Sequence, residues 1–426
     1  MNSNIHFFLF VICLFSIKSI DINLTLGVEL LSENHPLIIT LKEPLIKELN
    51  PIDLFVVFDI SASMKGDRID QLKKALNLII DALNYNDRLS LISFSTKAET
   101  LSELNYMNEY EKKRQKDIVA DLSTFGGTYF RESIHQFLKG IRKSYSYNNG
   151  RVQSVLFITD GDGLDGTPKN LFMAEYKNNE DLDFSIYTFL IGNEGNPKHL
   201  MEFANCRDGS FYYINDLEKI QNYVLNVIGG LRKTYYKNVN VDIISPYPIA
   251  KFYENEKLSN NTYKENTNQY SFNILQFMTG HEYTYVIELK LPDDIKCGSN
   301  ILSITSTYTD FNGNKYNVNK AINYNYGCIK CYREEYCRVL TAQALEKIII
   351  LRFVNQTIFD EVKRKCGDDL NKNISGVVDK ILMAQKPFNH IYGINSEISL
   401  KRGGMNLWYT NEYQKELIDY YLNKKY

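Results

Sequence analysis

The run Leu54-Phe55-Val56-Val57-Phe58 constrains the fold more than any other stretch of the chain. It is apolar at every position, so a strand formed here must be buried on both faces. A sheet covered by helices on each side supplies that environment. The next segment fits it: Ile69, Leu72, Leu76, Ile79, Ile80 and Leu83 recur at helical spacing between Asp67 and Leu83.

The alternation continues through a strand at 89–94, helices near 110–122 and 130–144, and strands at 155–158 and 184–189. A short helix near 199–204, a strand at 209–213 and a helix at 216–231 complete it. Repeated βα units of this kind predict an α/β fold, a doubly wound, mostly parallel, Rossmann-like sheet. Ahead of it, Leu37-Ile38-Ile39-Thr40-Leu41-Lys42 reads as a strand ending before Pro44. After Gly229-Gly230 the pattern changes to short strands with turn signals such as Asn312-Gly313, which predicts an antiparallel β-sandwich. Helical periodicity returns at 333–353, 370–385 and 411–423. The expected organisation is a signal peptide at 1–19 and an N-terminal strand region at 20–50 that joins the sandwich. The α/β domain follows at 51–232, the sandwich at 233–328 and a helical region at 329–426.

Charge excludes two classes of partner. Lys plus Arg number 49 against 51 Asp plus Glu, a net charge of -2. No basic excess exists for nucleic acid or an anionic membrane surface. Phe7 to Phe15 is a nine-residue apolar run, the length of a secretory signal core and half of a membrane span. With cleavage after Ser19, the mature chain is expected to be secreted or lumenal, without a membrane span. An uncleaved signal anchor is the other reading, since the first residues carry His6 but no Lys or Arg.

The cysteines agree with that compartment. Beyond Cys13, six remain: Cys206, Cys297, Cys328, Cys331, Cys337 and Cys366. Five lie beyond residue 290, so disulfide bonds are expected to staple the C-terminal part. Zinc is disfavoured, because no His stands near Cys328-x-x-Cys331 and a second CxxC is missing. Cys206 is read as a buried thiol. Asn23, Asn260, Asn355 and Asn373 begin glycosylation sequons.

The chemistry sits at strand ends. Asp59-Ile60-Ser61-Ala62-Ser63 follows the first buried strand, Gly126-Gly127-Thr128 precedes a helix, and Thr159-Asp160-Gly161 ends another buried strand. In an open parallel sheet, ligands bind at the carboxyl ends of the strands, where Asp59, Ser61, Ser63, Thr128 and Asp160 would meet. Carboxylates and hydroxyls are hard oxygen donors suited to Mg²⁺, Mn²⁺ or Ca²⁺. Three neutral hydroxyls would leave the cation electron-poor and able to accept an outside carboxylate. The bland alternative is that the serines only cap the following helix and Asp160 only caps a loop. Asp162 and Asp165 are expected to be solvated loop acids, and His199 and His281 ordinary residues. An EF-hand reading of 160–171 fails, because Leu171 replaces the bidentate Glu.

These segments resemble the von Willebrand factor A domain over about 180 residues, from Asp53 to Leu231, and the five residues match its metal-ion-dependent adhesion site. The resemblance implies that Ser61, Ser63 and Thr128 coordinate the metal directly, while Asp59 and Asp160 act mainly through bound water. The usual Gly between the serines is Ala62 here. The flanking regions look like those of inter-alpha-trypsin-inhibitor heavy chains and of plant ubiquitin ligases with an A domain. The ligases' RING module and the heavy chains' Asp-Pro ester-forming end are both missing, so neither activity carries over. The expected function is non-enzymatic: capture of an Asp or Glu of a protein partner through a divalent cation. The alternatives are a metal-assisted hydrolase at the same site and a scaffold with a vestigial site.

Overall fold

The computed structural model describes residues 20–26, 34–43, 47–145, 150–192, 194–214, 219–253, 267–280 and 282–324, with isolated helical positions beyond 336. The expected signal peptide, the sequons at Asn260, Asn355 and Asn373, His281, Cys328 and Cys331 lie outside the described residues, as does most of the expected C-terminal helical region.

Two sheets organise the chain. The first runs β5-β4-β3-β6-β7-β8, built from β3 (Ile52–Asp59), β4 (Arg88–Phe94), β5 (Ala98–Tyr106), β6 (Val152–Thr159), β7 (Ser185–Ile191) and β8 (Phe211–Ile214). All neighbours are parallel except β5, which lies antiparallel against β4 at one edge. Six helices flank it: α1 (Asp67–Ala82), α2 (Glu109–Ala120), α3 (Arg131–Tyr145), α4 (Pro168–Tyr176), α5 (Pro197–Asn205) and α6 (Lys219–Arg232).

The apolar run of β3 divides between two cores. Leu54, Val56 and Phe58 pack with α1 and α6 through Leu72, Leu76, Ile79, Val224 and Ile228. Phe55 and Val57 pack with α3, α4 and α5 through Phe137, Ile141, Phe172 and Phe203. The doubly wound reading is therefore correct, and its physical cause is this two-sided burial. Strand β5 is the element that the sequence did not reveal.

The second sheet is antiparallel. Its order is β1-β2-β11-β9-β12-β13, with β10 also on β9. The strands are β1 (Asp21–Leu26), β2 (His35–Lys42), β9 (Thr234–Tyr253), β10 (Thr267–Met278), β11 (Glu282–Leu289), β12 (Asn300–Asp310) and β13 (Lys315–Asn323). The expected sandwich is a single hydrogen-bonded sheet, because β9 serves both halves. It pairs with β12 up to Ile244, and with β11 only from Ile249 to Tyr253. Pro246 and Pro248 stand between those segments, and a proline cannot donate to a ladder. Leu37, Ile39, Val241, Ile243, Tyr285, Ile287 and Ile304 close one core from both halves. Further along the chain, Cys337 and Cys366, each at a helical position, form a disulfide.

The α/β unit lies between β2 and β9 in the chain, and its two connections run side by side. Asn50 N–H donates to Arg232 O at 3.0 Å, and Lys233 Nζ reaches the carbonyls of Lys47 and Glu48. The amino ends of β6 and β7 face the second sheet: Ser185 Oγ donates to Gln276 Oε1 at 2.9 Å, and Gln276 Nε2 to Gln153 O at 3.0 Å. The carboxyl ends therefore open about 20 Å away, on the far side.

Candidate metal centre

The chain leaves β3 for β4 on one side and later returns to place β6 on the other, so the β3–β6 boundary is the topological switch point. Asp59 closes β3 there. Its Oδ1 accepts the Ser61 backbone N–H at 2.7 Å, and its Oδ2 accepts the Thr159 hydroxyl at 2.6 Å. Ser61 Oγ lies 3.0 Å from Ser63 Oγ, and the Ser63 hydroxyl donates to Asp160 Oδ1 at 2.9 Å. One bonded chain thus crosses the switch point.

Thr128 arrives from the loop before α3. Its Oγ1 lies 4.0 Å from where a Cβ on Gly161 would stand, beside Asp160. That loop is pinned to the first one: Phe125 N–H donates to Ile60 O at 2.9 Å, and Ala62 N–H to Gly126 O at 3.0 Å. Gly126 has φ +74° and sits where a Cβ would collide with Thr96 Oγ1, so the close approach requires glycine. Asp59, Ser61, Thr128 and Asp160 are buried, and Ser63 is exposed. The structure thus brings together all five residues singled out in the sequence.

The capping alternative does not describe the serines. Gly66 is the N-cap of α1, and Ser61 makes no side-chain cap bond to the 3-10 turn Ala62–Met64. Their hydroxyls turn instead to each other and to Asp160. Among the described residues, no three His, Cys, Asp or Glu side chains cluster as a metal site, so a cation here would depend on hydroxyls.

The two carboxylates differ in surroundings. Burial pushes the Asp59 carboxyl up to about 6; hydrogen bonds from Thr159 and Ser61 oppose the rise, and the Asp160 charge adds to it. Every donor that Asp59 meets is neutral. Asp160 instead carries a cation on its second oxygen, where Arg68 Nη1 approaches Oδ2 at 2.5 Å. The sequence did not single out Arg68. Its signal was a basic residue in the first turn of α1, where the helix dipole disfavours one.

Two acids read as solvated are structural. Asp165 accepts the N–H groups of Phe130 and Arg131 at 2.9 and 2.8 Å, holding the start of α3. Asp162 accepts the Asn196 N–H at 3.0 Å and contacts His199 Nδ1 at 3.1 Å. His199 Nε2 lies 3.2 Å from Asn196 Nδ2, so both ring nitrogens are engaged. Cys206 is half-buried, not buried, and its thiol donates to Glu202 O at 3.2 Å.

Residues 53–226 match the von Willebrand factor type A domain. The human voltage-dependent calcium channel subunit alpha-2/delta-4 is 24% identical over 203 residues, 46% of this chain and 18% of that protein. Bovine inter-alpha-trypsin inhibitor heavy chain H4 is 30% identical over 116 residues, 26% of this chain and 13% of that protein. This chain therefore aligns with less than a fifth of either relative. A solved structure, a von Willebrand factor type A protein from Catenulispora acidiphila, superposes with a TM-score of 0.67 at 14% identity. It covers 90% of this chain and 97% of that one, a likeness of fold. The match at residues 53–226 is to a domain type that is typically a protein-interaction module and commonly binds a divalent cation.

Proposed function

We propose that this von Willebrand factor type A domain binds a divalent cation at Asp59, Ser61, Ser63, Thr128 and Asp160, and through it captures an Asp or Glu of a protein partner. One observation carries the reading: Asp59 is fully buried and meets only neutral donors, beside a second buried carboxylate and a row of hydroxyls. A buried carboxylate without a counter-charge is costly, and a hard cation relieves that cost. The donor set is all oxygen, which fits Mg²⁺ or Mn²⁺ better than zinc. When bound, the cation supplies an electron-poor centre that accepts one more carboxylate oxygen. Ser61, Ser63 and Thr128 would hold it directly, with Asp59 and Asp160 balancing its charge.

The non-enzymatic reading rests on the domain type, which is typically a protein-interaction module. The apolar segment at residues 7–15 and the Cys337–Cys366 disulfide support a secreted or lumenal setting. Among the described residues, no helix is long and apolar enough to cross a membrane.

Thermal unfolding in Mg²⁺, Mn²⁺, Ca²⁺ or EDTA tests the reading. The wild type should melt higher in the cation that it binds, and Asp59→Ala should lose that rise. A wild type that melts identically in millimolar cation and in EDTA overturns it.

A further inference from the structure

Arg68 is the one fixed cation at this otherwise anionic and hydroxylic centre among the described residues. Its Nη1 donates to Asp160 Oδ2 at 2.5 Å and to Ser63 O at 3.3 Å, and its Nη2 donates to Glu194 Oε1 at 2.8 Å. Glu194 comes from the segment between β7 and α5. In that segment Gly192, at φ +75°, lies so close that a Cβ would sit 3.3 Å from Arg68 Nη2. The guanidinium is thus strapped between two carboxylates, one buried and one 59% exposed. It cannot deprotonate, so its charge is permanent.

The charges then count as follows. Asp59 and Asp160 bring two negative charges, a divalent cation cancels them, and the hydroxyls add none. A neutral cluster would attract a partner carboxylate only through the local field of the ion. With Arg68 the loaded centre keeps one positive charge. Glu194 offsets it weakly, because its exposed carboxylate is screened by solvent.

We propose that Arg68 is a specificity-determining residue of this centre: its charge weakens the hold on the cation and strengthens the capture of an anion once the cation is in place. The proposal rests on the metal-binding reading above and goes beyond it, since it sets metal affinity and carboxylate affinity in opposition through one side chain.

Calorimetric titration of the full chain with Mn²⁺, in chloride and with added acetate as the carboxylate probe, tests it. Arg68→Met should bind Mn²⁺ on the order of tenfold more tightly, the effect of removing one charge a few ångströms from a divalent ion. Acetate should strengthen Mn²⁺ binding less in that variant than in the wild type. Glu194→Gln, at an exposed position, should shift both quantities the opposite way by a smaller factor. Arg68→Lys, which keeps the charge, should stay near the wild type. A purely structural role would weaken Mn²⁺ binding in Arg68→Met, and that result overturns the proposal while leaving the metal site standing. Unchanged Mn²⁺ affinity in Arg68→Met also overturns it, and should that variant fail to fold, unchanged affinity in Glu194→Gln does so. A wild type that ignores Mn²⁺ overturns both readings.

Discussion

Strand β3 carries a buried aspartate at each end, and the two are solved in opposite ways. At the amino end, Asp53 is met by arginines: Arg88 Nε at 2.8 Å and Nη2 at 2.5 Å, and Arg151 Nε at 2.6 Å. Nearby, Asp87 receives Arg232 Nη2 at 2.6 Å and two backbone N–H groups. At the carboxyl end, Asp59 receives a hydroxyl and a backbone N–H but no cation from the chain. The same residue type, on the same strand and at the same burial, is closed at one end and open at the other. At Asp53 both carboxylate oxygens are closed by arginines and the residue joins parts of the fold. At the open end Asp59 has no cation from the chain, and its neighbour Asp160 gives only one oxygen to Arg68, the other accepting the Ser63 hydroxyl.

The largest expected effect tests the closed end. Asp53→Ala strands Arg88 and Arg151 without their shared partner, and should cost about 3–5 kcal/mol in the urea unfolding free energy. A loss under about 1 kcal/mol would erase the distinction between the ends. The second test concerns the open end. In EDTA, Asp59→Ala removes an uncompensated buried charge, so its stability should match or exceed that of the wild type. In saturating cation the order should reverse, with the wild type ahead by about 2–3 kcal/mol. Equal destabilisation in both conditions would make Asp59 a structural residue like Asp53.

The smallest effect concerns Asp183, an amino-end acid just before β7 with a loose partner, Lys237 at 3.5 Å. Burial raises its carboxyl above the ordinary range, although Lys237 and Arg207 oppose the rise. A raised acid favours the neutral form in the folded state. Its contribution to stability is therefore full below the unfolded value near 3.8 and lost as pH rises through the higher folded value. Asp183→Asn should accordingly raise the melting temperature slightly at neutral pH and bring no gain at pH 3. A clear loss at neutral pH would place Asp183 with the arginine-closed acids.

The sequence revealed what depends on local pattern. Strands β3, β6 and β7 show as apolar runs because both faces are buried. The five residues at the switch point show because strand ends and helix starts bracket them. Strand β5 was invisible, since an edge strand such as Ala98-Glu99-Thr100-Leu101-Ser102-Glu103 buries little and reads as loop. Arg68 was missed, and Asp162 and Asp165 were misread, for a different reason. The partners of the two acids lie tens of residues away, where no local pattern encodes a contact, and Arg68 showed only as a basic residue in a helix's first turn. The pairing of Cys337 with Cys366 is likewise a fact of three dimensions, since six cysteines allow many connectivities.

The side-by-side connections at Asn50 and Arg232 also bear on the order in which the chain folds. Strands β2 and β9 belong to one sheet, yet the chain between them holds the whole α/β unit. While that unit is unfolded, pairing across the gap must close a very long loop, with a correspondingly large entropic cost. Once it folds, its two ends emerge hydrogen-bonded together, and the effective loop shrinks to almost nothing. The expectation is that the parallel sheet serves as an internal assembly jig, forming first and delivering the ends on which the antiparallel sheet nucleates; substitutions in β3 should then slow folding more than equally destabilising ones in β12.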